Sequence, residues 1–461
     1  MEGDGSEFLS QVLPSQHLDT TPLTSPDPLL SDIISPISYT LPIEDQASKM
    51  DTSQVLGLPE MLFQGSSTGI LDDEVLYLTG LKGIFALQSF IWVYLHTFVP
   101  TLVSAPSSDL NIPGPTWQIV LRKTLSILFW NENLVYSAFI LLSARSISIP
   151  FIKNATGAQV AGSQFRRSIR LLFPAAVALA IIYITWACIS PYYLSHYAKK
   201  SGNKLLETPY QIPNALVYFN SLFNLFWITN DYSSQAASLA FPTQTLWIIS
   251  VIFQQSYTVY MAMVIIPYTR SSWRVKALLI FILSAFWVQS WAWFSITGLL
   301  LADMVHNMSF KPKAQSGIPI FKTSYRLPTW IVCTLVIVAG GSMQYLWTAW
   351  RPEYQNFMLE GHAGLYYSGG LNYKYDIHQP QARDDSYLIL VGLLGLVETS
   401  DVLQWIQSFR VFVYLGRRAL SKSFRNCFLS NDMRANCEQR LVSRPECPCI
   451  HSWHQTLDSL D

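Results

Sequence analysis

The chain has 461 residues, of which 50% are hydrophobic and only 13% are charged, and its formal net charge is zero. A soluble domain carries about 25% charged residues, so this composition excludes an ordinary soluble protein and indicates an integral membrane protein embedded in a lipid bilayer. The balanced charge gives no reason to expect a nucleic-acid partner.

The first 70 residues are rich in Ser, Thr, Pro and Asp, and Lys49 is their only lysine or arginine. Such a segment cannot bury enough apolar surface to fold alone, so we predict that residues 1–70 form a disordered acidic tail. The segment lacks both a basic start and an apolar core, and we therefore expect no cleavable signal peptide.

Apolar segments of the length that a bilayer requires follow from residue 76, and they predict an all-α, multi-pass bundle of about 8–9 spans. The polar sequence WNENL (130–134) interrupts the second segment, and a partial span begins near residue 410. We expect the apolar helix at 214–230 to lie along the membrane interface. The predicted spans are 76–102, 118–144, 168–195, 244–268, 275–289, 291–306, 327–349 and 385–406.

Lysine and arginine are concentrated in alternate loops, which predicts the side that faces the cytosol. The N-terminal tail falls on this side, whereas the loops 197–243 and 350–384 face the lumen or the exterior. We expect an endomembrane such as the endoplasmic reticulum. The basic residues that define the cytosolic side are Arg145, Lys153, Arg166, Arg167, Arg170, Arg270, Arg274, Lys276, Lys311, Lys313, Lys322, Arg326, Arg410, Arg417 and Arg418.

Five motifs occur in a fixed order along the membrane part. They are GLKGIFAL (80–87), FRRSIRLLFP (165–174), WFSITGLLLADM (293–304), HQPQARDDSYLILVGLLGLVE (378–398) and VFVYLGRRALS (411–421). Together they resemble the acyltransferase type 3 family in its fungal branch. The resemblance covers residues 76–422, and it rests on the order and spacing of the motifs rather than on any one of them.

This resemblance implies a membrane enzyme that moves an acyl group from cytosolic acyl-CoA to a hydroxyl of a small-molecule acceptor, as in fungal secondary metabolism. Acyl-CoA would be a co-substrate, with no bound cofactor. The reaction needs a base to deprotonate the acceptor, and a histidine titrates near neutral pH. His96 is the candidate catalytic residue; the alternative is an interfacial histidine beside Pro100.

Cationic residues at the predicted cytosolic ends of two spans are candidates for binding the phosphates of the donor. They are Lys82, Arg166, Arg167 and Arg170. Arginine suits this role because its planar guanidinium binds phosphate through two hydrogen bonds and keeps its charge. The alternative for the arginines is an anchor on the cytosolic side, and Lys82 can extend its amine towards the same interface.

The chain departs from the pattern of the family in three spans, and in the second span Ala138 follows Ser137 where the family usually has glycine. Lys82 stands where the first span usually has arginine, and Val93 stands where the histidine usually follows, so that His96 lies about one turn later. Ile252 stands where many relatives carry a glutamate, and the nearby amide of Gln254 cannot act as a base. These departures indicate a divergent member, and the alternative function is a non-catalytic relative or a transporter.

Acidic residues near the ends of the spans have open alternatives. Asp303 either pairs with a loop lysine or assists the site, and Glu132 belongs either to a cavity or to an interfacial turn. Glu398 and Asp401 are predicted to lie at the interface. Their expected partners are Arg410 and Arg417.

The long loop before the eighth span contains His362 and His378, and it either covers the acceptor site or is a plain lumenal loop. Residues 423–461 form a polar tail without an apolar span. This abrupt change predicts a C-terminally truncated product or an altered reading frame, with a naturally short variant as the alternative. The tail contains cysteines and histidines whose spacing matches no common zinc finger, so we predict no metal site; the alternative is a zinc site, because the ligand types fit. These residues are Cys437, Cys447, Cys449, His451 and His454.

Overall fold

The computed structural model describes residues 73–103, 115–153, 157–188, 196, 210–227, 232, 234–241, 244–319, 326–351 and 380–417. All of them belong to the longer of two compact units, which begins at Ile70. The predicted tails at 1–70 and 423–461 lie outside the described residues. The same holds for His362 and His378.

The described part of the chain is almost entirely helical. A short antiparallel pair joins strands β1 (Ile318–Pro319) and β2 (Arg326–Leu327), with Ile318 opposite Leu327. The α-helices are α1 (Asp73–Phe98), α2 (Thr116–Phe129), α3 (Glu132–Lys153), α4 (Gly157–Cys188), α5 (Ala215–Trp227), α6 (Ala236–Ala240), α7 (Trp247–Ile265), α8 (Ser271–Trp287), α9 (Ala292–Asn307), α10 (Phe310–Gln315), α11 (Thr329–Tyr345), α12 (Asp384–Thr399), α13 (Asp401–Gln407) and α14 (Arg410–Arg417).

Among the described residues, 5 helical segments are long and apolar enough to cross a membrane. The helical class and the presence of apolar helices of spanning length are confirmed. Helices α8 and α9 match the predicted spans 275–289 and 291–306, but they have only 17 and 16 residues. The segments of spanning length are Leu76–Phe98, Thr116–Lys153, Ala161–Trp186, Trp247–Tyr268 and Thr329–Trp350.

The predicted span 385–406 is not one straight helix. It consists of α12 and α13, which meet at a bend of 104° and would form a sixth segment only if they are counted together. Ser400 lies at the bend, where its hydroxyl accepts a hydrogen bond from the Leu403 N–H at 3.5 Å. The bend therefore coincides with a serine cap that begins a new helix.

Helix α3 is the centre of the bundle, and it packs against α1, α7, α9 and α12. Its apolar residues surround the whole helix, as expected of a helix buried on all sides. The predicted polar break lies at its start: α2 ends at Phe129, and Asn131 Oδ1 accepts a hydrogen bond from the Asn133 N–H at 3.1 Å. The break is thus a helix cap between two consecutive helices.

Glycines allow two pairs of helices to approach each other closely. On α1, a Cβ added to Gly83 would lie 2.0 Å from the Phe412 carbonyl oxygen of α14. On α9, a Cβ added to Gly298 would lie 2.6 Å from the Leu141 carbonyl oxygen of α3. Small residues permit such backbone contacts between apolar helices, and these contacts hold α1, α3 and α9 in the positions from which they present polar side chains.

Candidate functional site

A charged triad is buried where α1, α3 and α12 meet. Arg145 of α3 pairs with Glu398 of α12, and both side chains are almost completely buried. The Tyr77 hydroxyl of α1 donates a hydrogen bond to Glu398 Oε1 at 2.6 Å and accepts one from Arg145 Nη2 at 3.1 Å. The triad is charge-balanced, and it connects three helices.

The predicted partners of Glu398 and Asp401 were wrong. Glu398 faces the arginine of α3 in the interior rather than Arg410 or Arg417. Asp401 lies beyond the bend on an exposed surface and pairs with Lys311. Proximity in sequence favoured the arginines of the next helix, but the 104° bend separates the directions of α12 and α13.

Two of the predicted donor-binding cations lie on one face of α3. Lys82 Nζ of α1 donates a hydrogen bond to Ser146 Oγ, and Arg167 Nη2 of α4 donates one to Ser143 Oγ. Arg167 Nε also donates to Ser256 Oγ of α7 at 2.7 Å. Residues three apart on a helix are neighbours, so the two cations lie close together. No carboxylate among the described residues pairs with either cation, so this cation pair carries a net positive charge.

The other two predicted donor-binding residues do not join the cation pair. Arg166 and Arg170 are exposed on the outer side of α4, although they belong to the same short motif as Arg167. The guanidinium of Arg166 lies beside Gly162 on its own helix. Their position fits the alternative of an interfacial anchor.

His96 lies near the opposite end of α1 from the cation pair. At about 1.5 Å per residue, it is roughly 21 Å from Lys82 along the helix axis. The His96 ring is partly buried and stacks on Trp92, with their centroids 5.1 Å apart. Trp92 contacts Tyr136 of α3 at 5.9 Å, and Tyr136 contacts Trp247 of α7 at 5.2 Å. The structure therefore places the candidate base among aromatic rings, away from the cations.

Asp303 is completely buried near the end of α9. Its Oδ1 pairs with Arg274 Nη1 of α8 at 3.3 Å and accepts a hydrogen bond from Asn307 Nδ2 at 2.5 Å. Of its two alternatives, pairing with a cation is observed, but the cation is an arginine of a packed helix rather than a loop lysine.

The position at which the family that the motifs resemble often carries a glutamate is apolar in this structure. Ile252 is buried on α7, and the nearby Gln254 Oε1 accepts a hydrogen bond from the Tyr232 hydroxyl at 2.7 Å. Burial raises the pKa of Tyr232 to about 12. Tyr232 thus stays protonated at neutral pH, and the pair has no group that would act as a base there.

Sequence reasoning missed Tyr77 and the internal position of Arg145. The signal for Arg145 was its place inside the apolar sequence LLSARSISI, because a charged residue there needs a buried partner. Among the described residues, no group of three or more His, Cys, Asp or Glu side chains is arranged to hold a metal ion.

Comparisons with known proteins add no family assignment to this geometry. No protein-family model matches the chain, and no curated protein or solved structure is significantly similar to it.

Proposed function

We propose that this chain is a membrane-bound acyltransferase of the acyltransferase type 3 family, which transfers an acyl group from acyl-CoA to a hydroxyl of a small-molecule acceptor. The proposal includes an endomembrane location such as the endoplasmic reticulum, with the N-terminus in the cytosol. It also includes about 8–9 spans, in which the shorter helices α8 and α9 cross the bilayer with local thinning.

The observation that carries the proposal is the cation pair. Lys82 and Arg167 are part-buried against α3, are fixed by hydroxyl groups and have no carboxylate partner among the described residues. Buried charge is costly unless a counter-charge compensates it. A polyanionic donor supplies that counter-charge, and Arg167 presents the planar guanidinium that binds phosphate well.

His96 is assigned the role of general base at the other end of α1. Its imidazole accepts the proton of the acceptor hydroxyl as the oxygen attacks the thioester carbonyl. The C–S bond of the thioester breaks, the ester forms, and the proton finally passes to the thiolate of CoA. The separation of roughly 21 Å between His96 and Lys82 requires an elongated donor. Acyl-CoA meets this requirement, because a long arm joins its phosphates to its thioester.

The test uses purified full-length protein in nanodiscs, acetyl-CoA and a panel of hydroxylated acceptors, with release of free thiol as the measurement. We expect Lys82→Met and Arg167→Met each to raise the KM for acetyl-CoA about tenfold or more, since each removes a charged contact to phosphate. Arg170→Met is the matched control, because it removes an exposed cation from the same motif as Arg167.

His96→Ala is expected to lower kcat by about 10²–10⁴-fold while leaving the KM for acetyl-CoA nearly unchanged. The proposal fails if no thiol is released with any acceptor, or if the internal and exposed cation variants behave alike. Equal rates for His96→Ala and the original chain would remove His96 from the mechanism.

The second candidate is a transporter or non-catalytic relative that keeps the helical bundle. The observation that favours it is Ile252, a buried aliphatic residue where many relatives carry a carboxylate. In sealed vesicles, uptake of a small molecule without consumption of acetyl-CoA would support this candidate over the enzyme.

A further inference from the structure

Four large rings from four different parts of the chain meet beside His96. They are Trp92 of α1, Tyr136 of α3, Trp247 of α7 and Trp291, which precedes α9; together they form the ring cluster. Neighbouring rings lie 5.9, 5.2 and 6.0 Å apart between centroids. Each residue is at least nine-tenths buried, so the ring cluster lies inside the bundle.

The contacts between α1 and α3 share one antiparallel register. Lys82 bonds to Ser146, and Trp92 packs on Tyr136. The number of residues from Lys82 to Trp92 equals the number from Tyr136 to Ser146, so both contacts belong to the same register along the two helix axes.

The same register places a carboxylate beside the ring cluster. One turn beyond Trp92 on α1 is His96, and one turn before Tyr136 on α3 is Glu132. Residues four apart share one face of a helix. His96 and Glu132 therefore lie at the same level of the two helices, next to the rings of Trp92 and Tyr136.

Three polar groups of this region, on Glu132, Trp92 and Ser250, are not used by the described residues. Glu132 forms no ion pair and no side-chain hydrogen bond with any of them. The Trp92 indole N–H and the Ser250 hydroxyl are buried, and neither has a hydrogen-bond partner in the described part of the chain. Ser250 lies one turn after Trp247 on α7. Buried Trp side chains usually find a partner for the N–H, so packing alone does not account for these groups.

Electron-rich ring faces next to a carboxylate are the chemistry that recognises an organic cation. We infer that the ring cluster and Glu132 bind an ammonium group attached to an apolar body. The rings attract the cation by their faces, Glu132 supplies its counter-charge, and the Trp92 N–H donates to an oxygen of the ligand. The identity of this ligand rests on the proposed function. If the chain transfers an acyl group, the ligand is the acceptor, and His96 lies beside its hydroxyl.

Binding is measured without any turnover, by equilibrium dialysis of labelled benzyltrimethylammonium against full-length protein in nanodiscs. Neopentylbenzene, which replaces the charged nitrogen with carbon, is the neutral competitor, and phenethylamine tests a primary ammonium. We expect the labelled benzyltrimethylammonium to bind saturably. Unlabelled benzyltrimethylammonium and phenethylamine should each displace it. We expect the neutral isostere to compete at least about tenfold more weakly.

Three variants locate the site. Glu132→Gln is expected to weaken binding about tenfold or more, and Trp247→Leu is expected to weaken it by a similar factor. Asp401→Asn is the matched control, because it removes an exposed carboxylate outside the ring cluster. If Glu132→Gln does not fold, Glu132→Asp keeps the charge and is expected to bind within a few-fold of the original chain, while Trp247→Leu carries the test.

The inference is overturned if the original chain shows no saturable binding, if the neutral isostere competes equally, or if the folded Glu132→Gln and Trp247→Leu variants bind like Asp401→Asn. Cation binding without thiol release from acetyl-CoA would leave the site standing and remove the proposed enzyme function. Thiol release without cation binding would support the proposed enzyme function and remove the cation site.

Discussion

Removing Glu398 is expected to destabilise the bundle more than a surface substitution does, because it leaves Arg145 charged and unpaired inside the protein. Arg145 is 1% exposed and Glu398 is 3% exposed. Breaking a buried pair of this kind costs about 3–5 kcal/mol of unfolding free energy. Glu398→Leu also removes the acceptor of the 2.6 Å hydrogen bond from the Tyr77 hydroxyl.

A double variant separates the cost of the stranded charge from the value of the pair. In Glu398→Leu with Arg145→Met, both charges are replaced by apolar groups, which is often neutral or stabilising relative to the buried pair. We expect the double variant to be more stable than Glu398→Leu alone by about 2–4 kcal/mol. Tyr77→Phe keeps the ring and removes one hydrogen bond, so it is expected to cost only about 1 kcal/mol.

The measurement is the unfolding free energy in mixed micelles, obtained from SDS titration followed by tryptophan fluorescence and checked for reversibility. The expected order of stability places Tyr77→Phe above the single variant Glu398→Leu. The reasoning is refuted if Glu398→Leu costs less than about 1 kcal/mol, or if the double variant is no more stable than this single variant.

Three other predictions concern packing, capping and pH. Gly83→Ala is expected to cost about 1–3 kcal/mol through overpacking against α14, whereas Gly341→Ala, whose added Cβ meets nothing within 4 Å, is expected to cost nothing in the same unfolding assay. Ser400→Ala removes the cap of α13 and is expected to cost about 1 kcal/mol, measured in the same way against Ser400→Asp, which keeps a cap. Because the pKa of Tyr232 is raised to about 12, its stabilising contribution should be complete below about pH 10 and disappear as pH rises towards 12. Tyr232→Phe should remove this part of the stability loss in unfolding curves from pH 9 to 12; an unchanged loss would contradict the assignment.

The sequence predicted the helices well where a long apolar run determines where a helix lies. The polar break at 130–134 was also predicted, because WNENL interrupts an otherwise apolar run, and the structure shows that Asn131 caps the next helix there. The bend at Ser400 was missed. No glycine or proline marks it, and Ser400 in the polar run ETSD (398–401) is compatible with a continuous helix as well as with a cap.

Arg167 is the arginine of the motif FRRSIRLLFP that faces the bundle. The spacing of the residues around it in the sequence predicts this orientation. Ser163, Arg167, Leu171 and Ala175 recur at four-residue spacing, which places them on one face of α4. That face is the one that packs on the bundle, since Leu171 and Ala175 are buried. The partner of Glu398 had no comparable signal, because only the tertiary structure brings α12 to α3.

Charge balance distinguishes the buried Arg145 from the part-buried Lys82 and Arg167, all of which lie along α3. Arg145 is neutralised by Glu398 and bonded to Tyr77, so the chain itself satisfies much of its charge, and a role in holding three helices explains it. Lys82 and Arg167 are held by hydroxyl groups, which orient a cation without neutralising it. A cation held in this way keeps its charge available for an anion, which is the role that the proposed function gives to the acyl donor. This difference is why substitution of Arg145 is expected to act on stability, whereas substitution of Lys82 or Arg167 is expected to act on donor binding.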